Sequence, residues 1–315
     1  MSSVSLKQAV PNERKHQRRA AVMTGNGLIS AVGYLSLQTK DLTGVIRNAT
    51  DVLGLYETDT TSKKSYLAAQ AAHHEIIYSA GDHDAVDHIG LVAKDSEALG
   101  IIREKVSRAK YRVIAEQPLD EAVGQGFAFV GPEGFTWQVY TEAASYSLVK
   151  NGGFGPDRFG HVNIQVIDTI AQRDFLVEVL GFRVSDRIGH DQAFFLRCNN
   201  DHHGIAVFKS SRAVLHHHAW QTQSIVDLGR LGDRLARRGS RLAWGPVRHG
   251  AGDNIAAYYV EPTGAVIELY TDLEMIFDPE REARLWAEDD LYWINQWDGQ
   301  VPPGILDHGI PPLQR

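Results

Sequence analysis

The sequence predicts an α+β chain of four similar units that pair into two barrel-like halves. Two observations carry this prediction. The chain contains an internal duplicate, and each copy opens on a β-branched strand, passes through a helix and continues in short strands punctuated by Gly, Pro and Asp. Its 315 residues, 43% hydrophobic and 23% charged, have an ordinary soluble composition and are enough to build two cores.

The duplicate is legible in four blocks that keep their order. DLTGVIRNATDVLGL from Asp41 lies over DTIAQRDFLVEVLGF from Asp168, and both read as helices closed by a glycine, Gly54 and Gly181. AHHEII around His74 lies over DHHGIAV around His203, and the next strand places His88 on His217. PEGFTWQVYT from Pro132 lies over PTGAVIELYT from Pro262, so that Gln138 meets Glu268 and Tyr140 meets Tyr270. Each half divides again at strands starting near Tyr34, His88, His161 and His217. After the helix ending at Leu180, GFRVSD, QAFFLRC and HGIAVF read as short strands. A unit of this size cannot bury its sheet alone, so pairs should curve together.

The expected organisation follows in chain order. Residues 1–27 form a flexible tail with Lys7, Arg14, Lys15, Arg18 and Arg19 but no apolar core of a secretory signal; a transit peptide is the alternative. Residues 28–145 form a first pair of units without metal, and 155–272 a second, catalytic pair. The linker falls within 141–160, which ends in a Gly, Pro and Asp cluster. Residues 273–315, with Trp286, Trp293 and Trp297, fold back as a lid or an oligomer contact.

Charge and cysteine content exclude several classes. The balance of 32 basic and 39 acidic side chains, −7 overall, lacks the electrostatic footprint of a nucleic-acid or anionic-membrane binder. A single cysteine, Cys198, excludes an intrachain disulfide framework and a cysteine-rich zinc site, which points to the cytoplasm. No run approaches the roughly 18 apolar residues of a membrane span. Walker A, HExxH and GxSxG elements are absent.

Strand alternation selects the candidate metal ligands. In HVNIQV, His161, Asn163 and Gln165 share one face. In LHHHAWQ the duplication selects His217, the partner of His88, and sends His216 and His218 the other way. In GAVIELYTD, Glu268 lies on a strand that otherwise reads as buried, where a carboxylate costs several kcal/mol, of order ~3, unless it is paired or ligates a metal. Two imidazoles and one carboxylate with open positions left over form the facial triad suited to ferrous iron and oxygen chemistry. The first half carries Tyr34, His88 and Gln138 at the equivalent positions, so it is expected to be structural.

These residues carry a resemblance. From Gly160 to roughly Asp272, and more loosely over nearly the whole chain, the sequence resembles the type I extradiol ring-cleaving dioxygenases of the vicinal oxygen chelate superfamily. The most specific stretch is GPVRHGAGDNIAAYYVEPTGAVIELYTD, with its GP-x-RH element, a Tyr ten residues before the Glu, and an EPTG turn between them. The resemblance implies four βαβββ modules in two domains, one Fe(II) or alternatively Mn(II), and insertion of O2 into a catechol beside its two hydroxyls. The product is a ring-opened semialdehyde of aromatic hydrocarbon catabolism, and the assembly a homo-oligomer.

Carried over residue by residue, the metal ligands are His161, His217 and Glu268. His203 matches an acid/base that assists oxygen, and His249 and Tyr258 match groups that hydrogen-bond the substrate oxygens. Asp253 is read as orienting His249. Asn163, Phe195 and Trp244 complete the substrate face. Relatives that cleave acidic catechols carry Arg where this chain has Trp244, so an uncharged methyl-, halo- or aryl-substituted catechol or a trihydroxybenzene is the expected substrate. The alternatives are a metal-dependent lyase or isomerase of the same superfamily, which would leave His203, His249 and Tyr258 without a role, and a non-catalytic ligand-binding member, which would need no complete triad.

Overall fold

Three helices start for one local reason. The carboxylates of Asp41, Asp95 and Asp168 accept the backbone N–H of Gly44, Ala98 and Ala171, which caps the helices Leu42–Asn48, Ser96–Arg108 and Thr169–Asp174. The fourth, Ile225–Ala236, buries Leu228, Leu231 and Leu235 at helical spacing. The first and third helices both run on into a single π-helical turn, Ala49–Leu53 and Phe175–Val179. The left-handed glycines Gly54 and Gly181 follow, at φ 93° and 78°. This computed structural model describes residues 27–120, 122–145 and 154–315. Apart from Gly27, the expected N-terminal tail lies outside them, as does the middle of the expected linker.

The strands form two sheets with one shared order. The first runs Tyr56–Thr60, Lys64–Ala68, Ile76–Ala80, Ile29–Thr39, Ala85–Ala93, Thr136–Tyr140, Gly126–Val130, Arg112–Ala115. The second repeats it as Arg183–Ile188, Ala193–Arg197, Ile205–Lys209, Arg158–Val166, Val214–Gln221, Val266–Thr271, Ile255–Val260, Trp244–Arg248. In each sheet the two central strands are antiparallel and carry β-bulges at equivalent places. One bulge holds Gly33 or Gly160, where a Cβ would lie 2.0 Å from the hydroxyl of Tyr140 or Tyr270. The duplication therefore extends to irregularities of the backbone.

A continuous apolar core joins the halves. Phe175 of the second half packs on Tyr111 and Trp137 of the first, with ring centroids 5.1 and 5.5 Å apart. Burying Phe175 is worth about 1.5–3 kcal/mol of apolar transfer. Two buried carboxylates cross the same seam: Glu75 accepts the Phe159 N–H, and Glu261 accepts the Tyr78 hydroxyl at 2.7 Å. The C-terminal segment returns to the body. Arg284–Trp286 adds a parallel edge strand beside Arg183–Ile188, and Ile310 and Pro312 bridge to Leu215 and Val86 on the central strands of the two halves. No helix among the described residues is long and apolar enough to cross a membrane.

Candidate functional site

Three adjacent strands of the second sheet, Arg158–Val166, Val214–Gln221 and Val266–Thr271, bring three side chains to one point. Oε2 of Glu268 lies 3.2 Å from Nε2 of His161 and 3.1 Å from Nε2 of His217, and all three candidate ligand atoms lie within 4.8 Å of one another. An ion with ligand bonds of about 2.1 Å at right angles holds neighbouring ligand atoms about 3 Å apart, which the two carboxylate–imidazole distances match. The three residues are buried. Burial alone would raise the Glu268 carboxyl; the imidazoles of His161 and His217 outweigh it and hold it well below the usual range. Burial also pushes His217 down, which favours a neutral ligand. The donor set therefore fits a divalent ion.

A pocket opens beside the trio. Asn163, Phe195, His203, Trp244, His249 and Tyr258, each expected from the sequence, line it together with the three candidate ligands. Both amide atoms of Asn163 are buried without a protein partner, as a site that receives a polar ligand requires. Trp244 stacks on Tyr258 with centroids 5.2 Å apart and planes 19° from parallel. Among the described residues no Lys or Arg lines the pocket.

His249 and Tyr258 form a directed pair. His249 Nδ1 donates to the carbonyl of Ile294 at 2.5 Å, which leaves Nε2 bare to accept the Tyr258 hydroxyl at 2.6 Å. Burial lowers His249 and, with the Glu268 carboxylate, raises Tyr258 well above its usual value, so both are neutral. The adjacent Tyr259 faces the other way and reaches Asn48. His203 packs on His161 with ring centroids 4.3 Å apart. Burial, with His161 and His202 beside it, pushes His203 well below its ordinary value.

The structure corrects three details of the sequence reading. Asp253 does not reach His249; its exposed carboxylate pairs with Arg248 at 3.3 Å, while the backbone turns left-handed at φ 56°. The neighbouring Asn254 points inward instead, donating to Glu268 Oε1 at 2.9 Å. His216 does not turn away. It occupies a bulge between Leu215 and His217, lines the pocket and contacts the carbonyl of Ile305 at 2.8 Å. His203 precedes the strand Ile205–Lys209 rather than lying on it, so strand alternation does not govern its direction.

Alternation could not identify the remaining wall. Trp293, Ile294, Ile305 and Leu306 close the pocket from the C-terminal segment. Only the concentration of tryptophans there hinted at this packing.

In the first half, the equivalent positions hold a closed hydrogen-bonded network. Tyr34 is 2.8 Å from His88 Nε2 and 2.9 Å from Asp120, Gln138 reaches Tyr34 at 2.6 Å, and Lys64 pairs with Asp120 at 3.1 Å.

Comparison with known proteins places this geometry. The family model for the Glyoxalase/Bleomycin resistance protein/Dioxygenase superfamily matches residues 158–269. The chain is 27% identical to a manganese-dependent 2,3-dihydroxybiphenyl 1,2-dioxygenase of Geobacillus genomosp. 3, covering 88% of this chain and 96% of that protein. It is 30% identical to the 2,2',3-trihydroxybiphenyl dioxygenase of Sphingomonas paucimobilis, over 59% of this chain and 69% of the relative. Among solved structures, a Mn(II)-bound glyoxalase from Novosphingobium aromaticivorans superposes with a TM-score of 0.83 at 28% identity, covering 90% of this chain and 96% of that one.

Proposed function

Because this chain belongs to the Glyoxalase/Bleomycin resistance protein/Dioxygenase superfamily, and within it to the extradiol ring-cleaving dioxygenases, we propose that His161, His217 and Glu268 hold one divalent metal ion beside a pocket for an apolar catechol. The observation that carries this reading is the convergence of three ligand atoms at the floor of a pocket whose walls hold His203, His249, Tyr258 and an unpartnered Asn163. Fe(II) is the metal we assign, and the manganese dependence of a relative is the reason to carry Mn(II) as the second reading.

When bound, a redox-active ion at this face lets an aromatic diol and dioxygen exchange electrons that their direct, spin-forbidden reaction denies them. The chain's own groups handle position and protons. Asn254 holds Oε1 of Glu268, which leaves Oε2 toward the imidazoles. Neutral His203 is placed to take the proton a diol loses and return it to oxygen as the ring opens. Tyr258 and His249 share one proton where a substrate oxygen would arrive, and can stabilise charge that develops there. Trp244 and Phe195 supply apolar walls for a ring substituent, and the segment around Trp293 and Ile305 shields the site from water.

Oxygen uptake tests the reading. Protein purified without oxygen and loaded with Fe(II) or Mn(II) is expected to consume O2 with 4-methylcatechol and yield a yellow ring-opened product. Metal binding without uptake across a catechol panel would return the chain to the lyase or isomerase alternative. Replacing His203 by Phe is expected to leave metal content intact and slow turnover by about 10²-fold.

A further inference from the structure

Behind His203 a second imidazole leads to a buried carboxylate. His203 Nδ1 lies 3.0 Å from Nδ1 of His202, with the two rings perpendicular. His202 is wholly buried, and its Nε2 lies 3.2 Å from Oδ1 of Asp186, within contact but off the line of a hydrogen bond, with the half-buried Glu274 carboxylate farther off at 3.8 Å. Asp186 is itself buried on the strand Arg183–Ile188. Its other oxygen accepts the indole N–H of Trp286 at 2.7 Å, and Arg281 approaches Oδ1 at 3.5 Å. Both of these partners come from the C-terminal segment.

We infer that Asp186, acting through His202, is a positioning residue that decides which nitrogen of His203 carries its proton. A bare Nε2 lone pair 3.2 Å from a carboxylate oxygen is repelled, whereas an N–H there is attracted even off line, so His202 carries its proton on Nε2. Nδ1 of His202 is then an acceptor, and the shared contact makes Nδ1 of His203 the donor. Nε2 of His203 is left bare. This is the logic by which the third member of a catalytic triad orients its histidine. The inference rests on the reading of His203 as the acid/base of the site.

The first half shows what distinguishes the arrangement. There His74 and His73 repeat the contact at 2.8 Å, and Asp59 stands where Asp186 does. Asp59 lies farther off, at 3.7 Å from His73, and its side chain is 56% exposed. Burying a carboxylate is costly unless it is paired, so the enclosure of Asp186 by Trp286 and Arg281 is a built feature that the exposed Asp59 lacks among the described residues.

The test compares variants of the full chain loaded with Fe(II), with 4-methylcatechol as the probe. Asp186→Asn can turn its amide N–H toward His202 and reverse both tautomers. It is expected to lower kcat by about 10²-fold, with KM within about twofold and metal content unchanged. His202→Gln keeps an acceptor and a donor and is expected to retain most of the activity that His202→Phe loses. Should Asp186→Asn fail to fold, this Gln and Phe pair decides the matter alone. In 15N-histidine NMR spectra of the metal-free protein, His203 is expected to be protonated at Nδ1, and in Asp186→Asn at Nε2. Wild-type kcat in Asp186→Asn, equal losses in the two His202 variants, or an unchanged His203 tautomer overturns the inference. Wild-type turnover in His203→Phe would instead overturn the acid/base reading beneath it.

Discussion

His216 Nδ1 lies 2.8 Å from Nδ1 of His217, and Nε2 of His216 lies 2.8 Å from the carbonyl oxygen of Ile305. A carbonyl only accepts, so Nε2 of His216 carries the proton, its Nδ1 accepts from His217, and Nε2 of His217 is the nitrogen free to ligate an ion bound between it and Glu268. The candidate ligand is thereby oriented by a backbone group of the C-terminal segment. His216→Phe is expected to weaken metal affinity by about 10–100-fold, and His216→Gln, which keeps a donor and an acceptor, to restore most of it. Competition titration against a chromophoric chelator measures both, and equal affinity in the Phe variant would refute the relay.

One metal ion per chain is expected, because Tyr34 and Gln138 close the first-half site with hydrogen bonds of their own. Elemental analysis of reconstituted protein checks the count. Two tightly held equivalents would show that the first half also binds metal.

Glu268→Gln keeps the size of the side chain and removes the anionic ligand. Metal affinity is expected to fall by at least about tenfold, with turnover lost and the circular dichroism spectrum retained. Full occupancy and full turnover would mean that another carboxylate serves as the ligand.

Trp244 is expected to set substituent preference. No cation lines the pocket among the described residues, and Arg248 is engaged by Asp253 and Asp272. A carboxylated catechol would bury an unpaired charge at a cost of about 2–5 kcal/mol, while a methyl group gains about 0.8. Specificity constants are therefore expected to favour 4-methylcatechol over homoprotocatechuate. Trp244→Arg should narrow the gap by supplying a planar bidentate donor. A wild-type preference for homoprotocatechuate would show that the apolar pocket is misread.

Asp120 anchors the first-half network. Burial alone would raise its carboxyl, but His88 and Lys64 outweigh that and hold it well below the usual range. Its stabilisation is therefore complete above the ordinary carboxylate value near 4 and is lost as pH falls toward its depressed folded value. Asp120→Asn is expected to cost about 3 kcal/mol at pH 7 without slowing the folded enzyme, and the difference from wild type should shrink below about pH 4. Urea unfolding at pH 7 and 3.5 measures it. A constant difference would remove the ionised Asp120 from the account.

The duplication, the cadence of strands and helices, and the candidate ligands His161, His217 and Glu268 were legible in the sequence because they depend on local patterns: capping aspartates, left-handed glycines and two-residue alternation. Copy and original could be compared directly, and the substitutions Tyr34 and Gln138 marked which half could hold a metal. Alternation fails wherever the backbone leaves ideal pairing. The bulge at His216 aimed that ring into the site, and the left-handed turn at Asp253 put Asn254 inside in its place. The contacts of Trp286 with Asp186, Ile294 with His249 and Ile305 with His216 join residues between 45 and 100 positions apart. Tertiary structure alone decided these, because a backbone carbonyl or a distant indole leaves no periodicity in the sequence to announce where the folded chain will bring it.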